Sequence, residues 1–221
     1  MSGKPTIHVI GTGGTISGAG SSATATAYKS GRVGASELVA EVEGLLQVPN
    51  IQTENLFASG SENLGPFQWR TLACRIEELT KSKDVDGVVV THGTDTLEEA
   101  SFFLDLVCKP SKPVVLTAAM RPATALSADG PANLYQAILA AASPQLKSHG
   151  ILVVMNGTVI PGWQAIKTDS AALESFSAYP GGIIGRFSGE RMIHTGEYCT
   201  PPLSGRFSDH LNKEGKLPLV G

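Results

Sequence analysis

The residues able to do chemistry in this chain fall in short polar segments. They are Gly11-Thr12-Gly13-Gly14-Thr15-Ile16, Ser59-Gly60-Ser61-Glu62-Asn63, Thr91-His92-Gly93-Thr94-Asp95-Thr96, Ala118-Ala119-Met120-Arg121-Pro122 and Asn156-Gly157-Thr158, with Lys167-Thr168-Asp169 eleven residues beyond Asn156. Together they offer hydroxyls, amides, an acid pair and a lysine. The histidines, His8, His92, His149, His194 and His210, are scattered with no pair at ligand spacing, so no metal site is expected. What remains is hydroxyl chemistry without an obvious histidine base. A threonine is a weak nucleophile and needs a base. A lysine can serve once burial favours its neutral form. Thr94, Asp95 and Lys167 could form such a set. Glycines around Thr15 would let backbone N–H groups face an oxyanion.

Familiar motifs fail. Ile16 stands where a dinucleotide fingerprint needs its last glycine, and no Gly-Lys-Ser/Thr closes a phosphate loop. There is no His-Glu-x-x-His and no Gly-x-Ser-x-Gly.

The pattern of apolar residues says what positions these segments. Thr6–Ile10, Ile51–Ala58, Gly87–Thr91, Pro113–Thr117 and Ile151–Met155 read as strands. Val88-Val89-Val90 is apolar on both faces. Helices are predicted over Ser36–Leu46, with Ser36 as N-cap and Leu38, Val42, Leu45 and Leu46 on one face, over Pro66–Lys81, over Thr96–Val107 and over Gly130–Ala142. Strands apolar on both faces, alternating with helices, predict an α/β fold. Its core would be a doubly wound, mostly parallel sheet with flanking helices. Gly157–Arg191 is predicted to form hairpins and short strands, a hairpin-rich C-terminal part. In an open parallel sheet, ligands bind beyond the carboxyl ends of the strands. Every polar segment above follows a strand, so all of them would converge on one rim.

Composition sets bounds. A net charge of −3 gives no basic footprint for nucleic acid. The apolar share of 42% is too high for a disordered chain. The apolar runs are too short to span a bilayer, and no apolar signal region precedes Thr6, so a cytoplasmic protein is expected. Cys74, Cys108 and Cys199 suit neither a disulfide framework nor a zinc ribbon.

The same residues carry a family resemblance. Thr12-Gly13-Gly14-Thr15-Ile16, Thr91-His92-Gly93-Thr94-Asp95-Thr96 and Ala119-Met120-Arg121-Pro122 resemble the signature loops of bacterial-type L-asparaginases. Ser127-Ala128-Asp129-Gly130-Pro131, Asn133-Leu134 and Val153-Val154-Met155-Asn156 fit the same family in the same order. The resemblance implies hydrolysis of the side-chain amide of L-asparagine, with L-glutamine as a second substrate, no cofactor and no metal. It implies Thr15 as nucleophile, assisted by Tyr28 on the following loop. Thr94, Lys167 and Asp95 would be a second hydroxyl–base–acid set. Gly14, Ser61, Glu62, Thr94 and Asp95 would hold the substrate, Ser61, Glu62 and Asp95 at its α-carboxylate and α-amino groups. Ala119 would lend a backbone carbonyl to the amide. A homo-oligomer is implied, with a tetramer of dimers-type assembly.

The resemblance also implies domain limits. Residues 1–195 match a catalytic N-terminal domain. Residues 196–221 read as a linker, with Leu217-Pro218-Leu219-Val220-Gly221 where the family's smaller second domain begins. The family borrows an acid from a neighbouring subunit's second domain, so reduced activity is expected of this chain alone. A face including Trp163, Ile183 and Ile184 would then be exposed.

Plainer readings stand beside these. Thr15 alone is a turn residue, Tyr28 a packed aromatic, Ser61 and Glu62 a turn and a cap, Asp95 the N-cap of the Thr96 helix, and Lys167 a surface lysine. His92 would brace its loop, and Arg121 would sit in a structural ion pair. Trp69 and Trp163 would be packing residues. A rival function is an amino-acid-binding or regulatory domain with little turnover. Another is the amide-donor subunit of a tRNA-dependent amidotransferase, which would need a nucleic-acid-binding segment that the sequence does not show.

Overall fold

The structure is a computed structural model that describes residues 4–24, 27–45, 49–195 and 205–211. Its centre is an eight-stranded sheet. The parallel strands are β1 (Thr6–Gly13), β2 (Asn50–Ser59), β3 (Gly87–Thr91), β4 (Val114–Thr117) and β5 (Ile151–Met155). Helices α1 (Ala35–Glu43), α2 (Pro66–Lys81), α3 (Leu97–Val107) and α4 (Gly130–Ala141) make the crossovers. Beyond β5 the chain turns back as β6 (Thr158–Pro161), and the sheet continues antiparallel through β9 (Gly185–Ser188) and β10 (Arg191–His194). Between them, β7 (Ala165–Lys167) and β8 (Phe176–Ala178) form a separate antiparallel ribbon. The order across the sheet is β10-β9-β6-β5-β4-β3-β1-β2. The chain therefore moves outward from β1 in both directions, which opens a crevice at the carboxyl ends of β1 and β3.

Strand residues alternate between two cores. Ile10, Val88, Val90, Leu116 and Val153 pack under α2 and α3. Ile7, Val9, Val89, Val115 and Val154 pack under α1 and α4. Each fully buried valine or leucine contributes about 1.5–3 kcal/mol. That two-sided burial is why these strands read as unbroken apolar runs. On α2, Leu72, Ile76 and Leu79 face the core as the spacing predicts, and Trp69 packs against Phe103 with ring centroids 5.9 Å apart.

Several boundaries differ from the sequence reading. β1 runs on through Gly11-Thr12-Gly13, with a register shift there against β2. α1 starts at Ala35, so Gly34 and not Ser36 is its N-cap; Asn55 Oδ1 accepts from the Ala35 N–H at 2.9 Å and does the capping work from outside. Leu45 lies past the helix end and is 62% exposed, while Leu46 lies outside the described residues. α3 starts at Leu97 with Thr96 as N-cap, so Asp95 does not cap it. Ile184 is 4% exposed and packs with the α1/α4 core, and Trp163 and Ile183 are partly buried, so the expected exposed face is not built from them. Ile166 and Tyr179 are exposed large hydrophobic residues of that region.

Of the expected linker, only 205–211 is described. Its short helix α5 (Ser208–Leu211) lies on α2 and α3, with Leu211 buried and Arg70 Nε donating to the Leu211 carbonyl at 3.2 Å. Cys108 is buried, and burial pushes its thiol up; Cys199 lies outside the described residues. None of the described helices is long and apolar enough to cross a membrane.

Candidate active site

The carboxyl ends of β1, β2 and β3 meet backbone to backbone, and glycines make that possible. Gly13 and Gly14 have φ of 107° and 80°, a left-handed region where a side chain is strained. A β-carbon on Gly13 would lie 2.1 Å from the Ser59 carbonyl oxygen, and one on Gly14 2.3 Å from the Gly93 Cα. The Gly14 N–H donates to the Ser59 carbonyl at 2.8 Å. The Thr96 hydroxyl donates to the Ser61 carbonyl at 3.0 Å and ties the second segment to the third.

Out of this junction comes a short turn, Thr15–Ser17. Thr15 is 8% exposed. Its Oγ1 lies 2.7 Å from the hydroxyl of Tyr28, which sits on a two-residue ribbon pairing Ala19–Gly20 with Tyr28–Lys29. A cavity of about 240 Å³ gathers Gly14, Thr15, Tyr28, Ser61, Glu62 and Asp95, with Ser30 and Gly93 completing its wall. Ser61 is buried, while Glu62 is exposed and accepts from Asn63 Nδ2 at 3.0 Å.

Lys167 reaches the site from the β7–β8 ribbon. Its Nζ donates to Thr94 Oγ1 at 2.9 Å and to Asp95 Oδ1 at 2.8 Å. The lysine side chain is 17% exposed and Asp95 66%. An exposed ion pair contributes little to stability, so the value of this one lies in holding three groups in contact. The Lys167 backbone N–H donates to Glu98 Oε2 at 2.5 Å, which fixes the ribbon to the first turn of α3. A second opening, of about 330 Å³, is lined by Asp95, Glu98, Lys167 and Asp169 among others, so Asp95 stands between both cavities. Backbone N–H groups of Ala172 and Ala171 hold the Asp169 carboxyl below its ordinary value; Asp169 serves its own turn.

His92 is fully buried beside Thr94. Its Nδ1 accepts from the Gly93 N–H at 2.9 Å, which assigns the proton to Nε2. Burial pushes its pKa down to about 4. His92 is therefore a neutral brace for its loop. Its folded pKa is below its unfolded value, so the unfolded chain takes up a proton that the folded chain refuses. Stability is then fully present above about pH 6.5 and falls as pH drops towards 4. We expect His92→Gln to flatten that fall by up to about 1.4 kcal/mol per pH unit. Urea unfolding across that range checks it, and equal slopes in both proteins would refute it.

Not every nominated residue arrives. Thr94 is buried behind Asp95 and reaches the site through Lys167. Ala119 is fully buried and lines neither cavity. Its loop is shaped by Asp129, whose carboxylate oxygens accept from the N–H groups of Met120 and Arg121 at 2.9 Å each. Arg121 makes no ion pair among the described residues; its Nη1 donates to the Ser127 carbonyl instead. Sequence reasoning missed Glu98 and Ser30. Glu98 carried one signal, a place three residues after Asp95 on the same helix start. Among the described residues, no group of three His, Cys, Asp or Glu side chains is placed to hold a metal ion.

Comparison with known proteins adds to this geometry. The family model described as "Asparaginase, N-terminal" matches residues 6–197. "L-asparaginase 2" of Escherichia coli (strain K12) is 41% identical over 222 residues, an alignment covering 98% of this chain and 62% of that protein. "Glutaminase-asparaginase" of Pseudomonas fluorescens biotype A is 43% identical over 180 residues, covering 81% of this chain and 49% of that protein. The crystal structure of a probable cytoplasmic L-asparaginase from Campylobacter jejuni aligns with a TM-score of 0.86 at 34% identity, covering 93% of this chain and 64% of that one. The chain thus spans about half to six-tenths of the length of the curated relatives it matches.

Proposed function

Because the chain belongs to the asparaginase family, through a match to its N-terminal domain over residues 6–197, we propose that it hydrolyses the side-chain amide of L-asparagine to L-aspartate and ammonia. The observation that carries this reading is the 2.7 Å contact of Thr15 Oγ1 with the Tyr28 hydroxyl, in one cavity with Ser61, Glu62 and Asp95. Thr15 Oγ1 attacks the amide carbon, and its proton passes to the Tyr28 oxygen while the Tyr28 hydroxyl proton passes on towards the amide nitrogen. The C–N bond breaks, the amide nitrogen takes up a proton and ammonia leaves an aspartyl ester on Thr15. Water then attacks the ester, releases aspartate and restores the hydroxyl. In its free-base form Lys167 takes a proton from Thr94 or from a water beside it, and the Asp95 carboxylate balances the charge.

Ser61, Glu62 and Asp95 are proposed to hold the α-carboxylate and α-amino groups, and Gly14 a backbone contact. Residues 1–195 are proposed as the catalytic domain. The working form is proposed to be a homo-oligomer in the cytoplasm. The exposed Ile166 and Tyr179 support the first, and the printed name of the Campylobacter neighbour supports the second. L-Glutamine is proposed as a further substrate on the printed name of the Pseudomonas relative.

The test is ammonia release by the purified chain from each amide. Heat of binding without ammonia would mark an amino-acid-binding domain instead. Glu62→Gln keeps a hydrogen-bonding shape but loses the charge at the α-amino end. We expect it to shift the ratio of kcat/KM for asparagine to that for glutamine by about tenfold, the effect of losing one charge-assisted contact. A collapse of kcat at unchanged KM would place Glu62 among the reacting groups.

A further inference from the structure

Gly18 ends the turn that carries Thr15. Its backbone has φ −84° and ψ 139°, a conformation open to any residue, so no backbone strain requires glycine there. What requires it is space. A β-carbon on Gly18 would lie 2.6 Å from Tyr28 Cδ2 and 3.1 Å from Tyr28 Cε2. The edge of the phenol ring rests where that carbon would be. The same carbon would lie 2.9 Å from the Thr15 carbonyl oxygen.

Gly18 cannot easily retreat. Its N–H donates to the Thr15 carbonyl at 2.8 Å, and its carbonyl accepts from the Ala123 N–H at 2.9 Å. Two residues on, the Gly20 N–H donates to Thr124 Oγ1 at 2.8 Å. Further along the same segment, the Ala23 carbonyl accepts from the Leu126 N–H at 3.0 Å. The segment is thus stitched to the 123–126 loop, which Asp129 holds in turn. Tyr28 is 41% exposed and has open space on its outer side. The closest of these contacts, with the Tyr28 ring, is therefore relieved by movement of the ring, and the lesser one, with the Thr15 carbonyl at 2.9 Å, by a small shift of the backbone.

We propose that Gly18 is the positioning residue for Tyr28: the missing β-carbon seats the phenol ring against the backbone and so places its hydroxyl on Thr15. The inference rests on the asparagine hydrolysis proposed above for its kinetic readout, and on the contact alone for its thermal one.

The experiment is a pair of double-variant cycles on the 221-residue chain. Gly18→Ala should lower kcat for asparagine by about a hundredfold, the effect of a misplacement near 1 Å, with KM changed much less. In the Tyr28→Phe background, where no hydroxyl is left to misplace, Gly18→Ala should cost less than about threefold more. For melting temperature, Gly18→Ala should lower the value clearly more in the wild type than in the Tyr28→Ala background, where the ring is gone and only the contact with the Thr15 carbonyl remains. If Gly18→Ala does not fold, the Gly18→Ala/Tyr28→Ala protein should fold. Equal losses in both backgrounds, or failure of both proteins to fold, would overturn the proposal. Absence of ammonia release by the wild type would sink the asparaginase reading and leave the thermal cycle to decide the seat.

Discussion

Thr15→Ala should lower kcat for asparagine by roughly 10⁴-fold or more, the scale seen when an activated nucleophile is removed from a unit that acts together. The substitution takes away one hydroxyl and one methyl group and keeps the β-carbon. The glycine-to-backbone contacts at Gly13 and Gly14 do not involve that side chain, so the junction of β1, β2 and β3 stays as it is. The Tyr28 hydroxyl loses its 2.7 Å partner but faces the cavity, where water can replace it. The melting temperature should therefore move by no more than about 4 °C, the shift that goes with about 1 kcal/mol in a chain of this size. A steady-state assay with a melting curve checks both halves. Turnover within tenfold of the wild type would remove Thr15 from the mechanism.

Lys167→Met should lower kcat by about a thousandfold, within the range for loss of a positioned acid–base group. Methionine keeps most of the length and loses the amine. Thr94 Oγ1 and Asp95 Oδ1 both lose their donor. The ribbon itself stays, because the Glu98 carboxylate holds the Lys167 backbone and not its side chain. Lys167→Arg separates two roles. A guanidinium keeps the positive charge beside Asp95 but does not give up its proton. If Lys167 acts as a base, the arginine variant should be as slow as the methionine one. Recovery of more than about a tenth of the wild-type rate in Lys167→Arg would show that only the charge matters.

Much of the fold was legible because the central strands are buried on both faces and the helices on one. Gly87–Thr91, Ile151–Met155 and Pro66–Lys81 were readable to the residue. Where side chains do not signal, reading stopped short. Gly11 and Gly13 have no strand propensity, yet backbone pairing carries β1 through them. Ser36 looked like a cap, but the capping oxygen comes from Asn55, on a strand paired only in the folded sheet. The short span of α1 left Leu45 outside its apolar stripe.

The site was legible to the extent that it follows strands. Thr15, Ser61, Glu62 and Asp95 come together because their strands are neighbours in the sheet. Lys167 was legible as the lysine that could serve Thr94 and Asp95, but nothing local says that its ribbon folds back onto α3. Glu98 escaped notice for the same reason: its partner is a backbone N–H 69 residues away. The seat for Tyr28 at Gly18 is visible only as a distance between a ring and an atom that is not there.

The most direct test of Thr15 as the nucleophile of an asparagine amidohydrolase is to trap its ester. The chain is mixed with L-asparagine, quenched in acid during turnover, digested and weighed by peptide mass spectrometry. The account predicts free ammonia together with one aspartyl group on the peptide that carries Thr15, and no such adduct in Thr15→Ala. An adduct on the Thr94 peptide, or ammonia release with an unmodified Thr15 peptide throughout turnover, would contradict it.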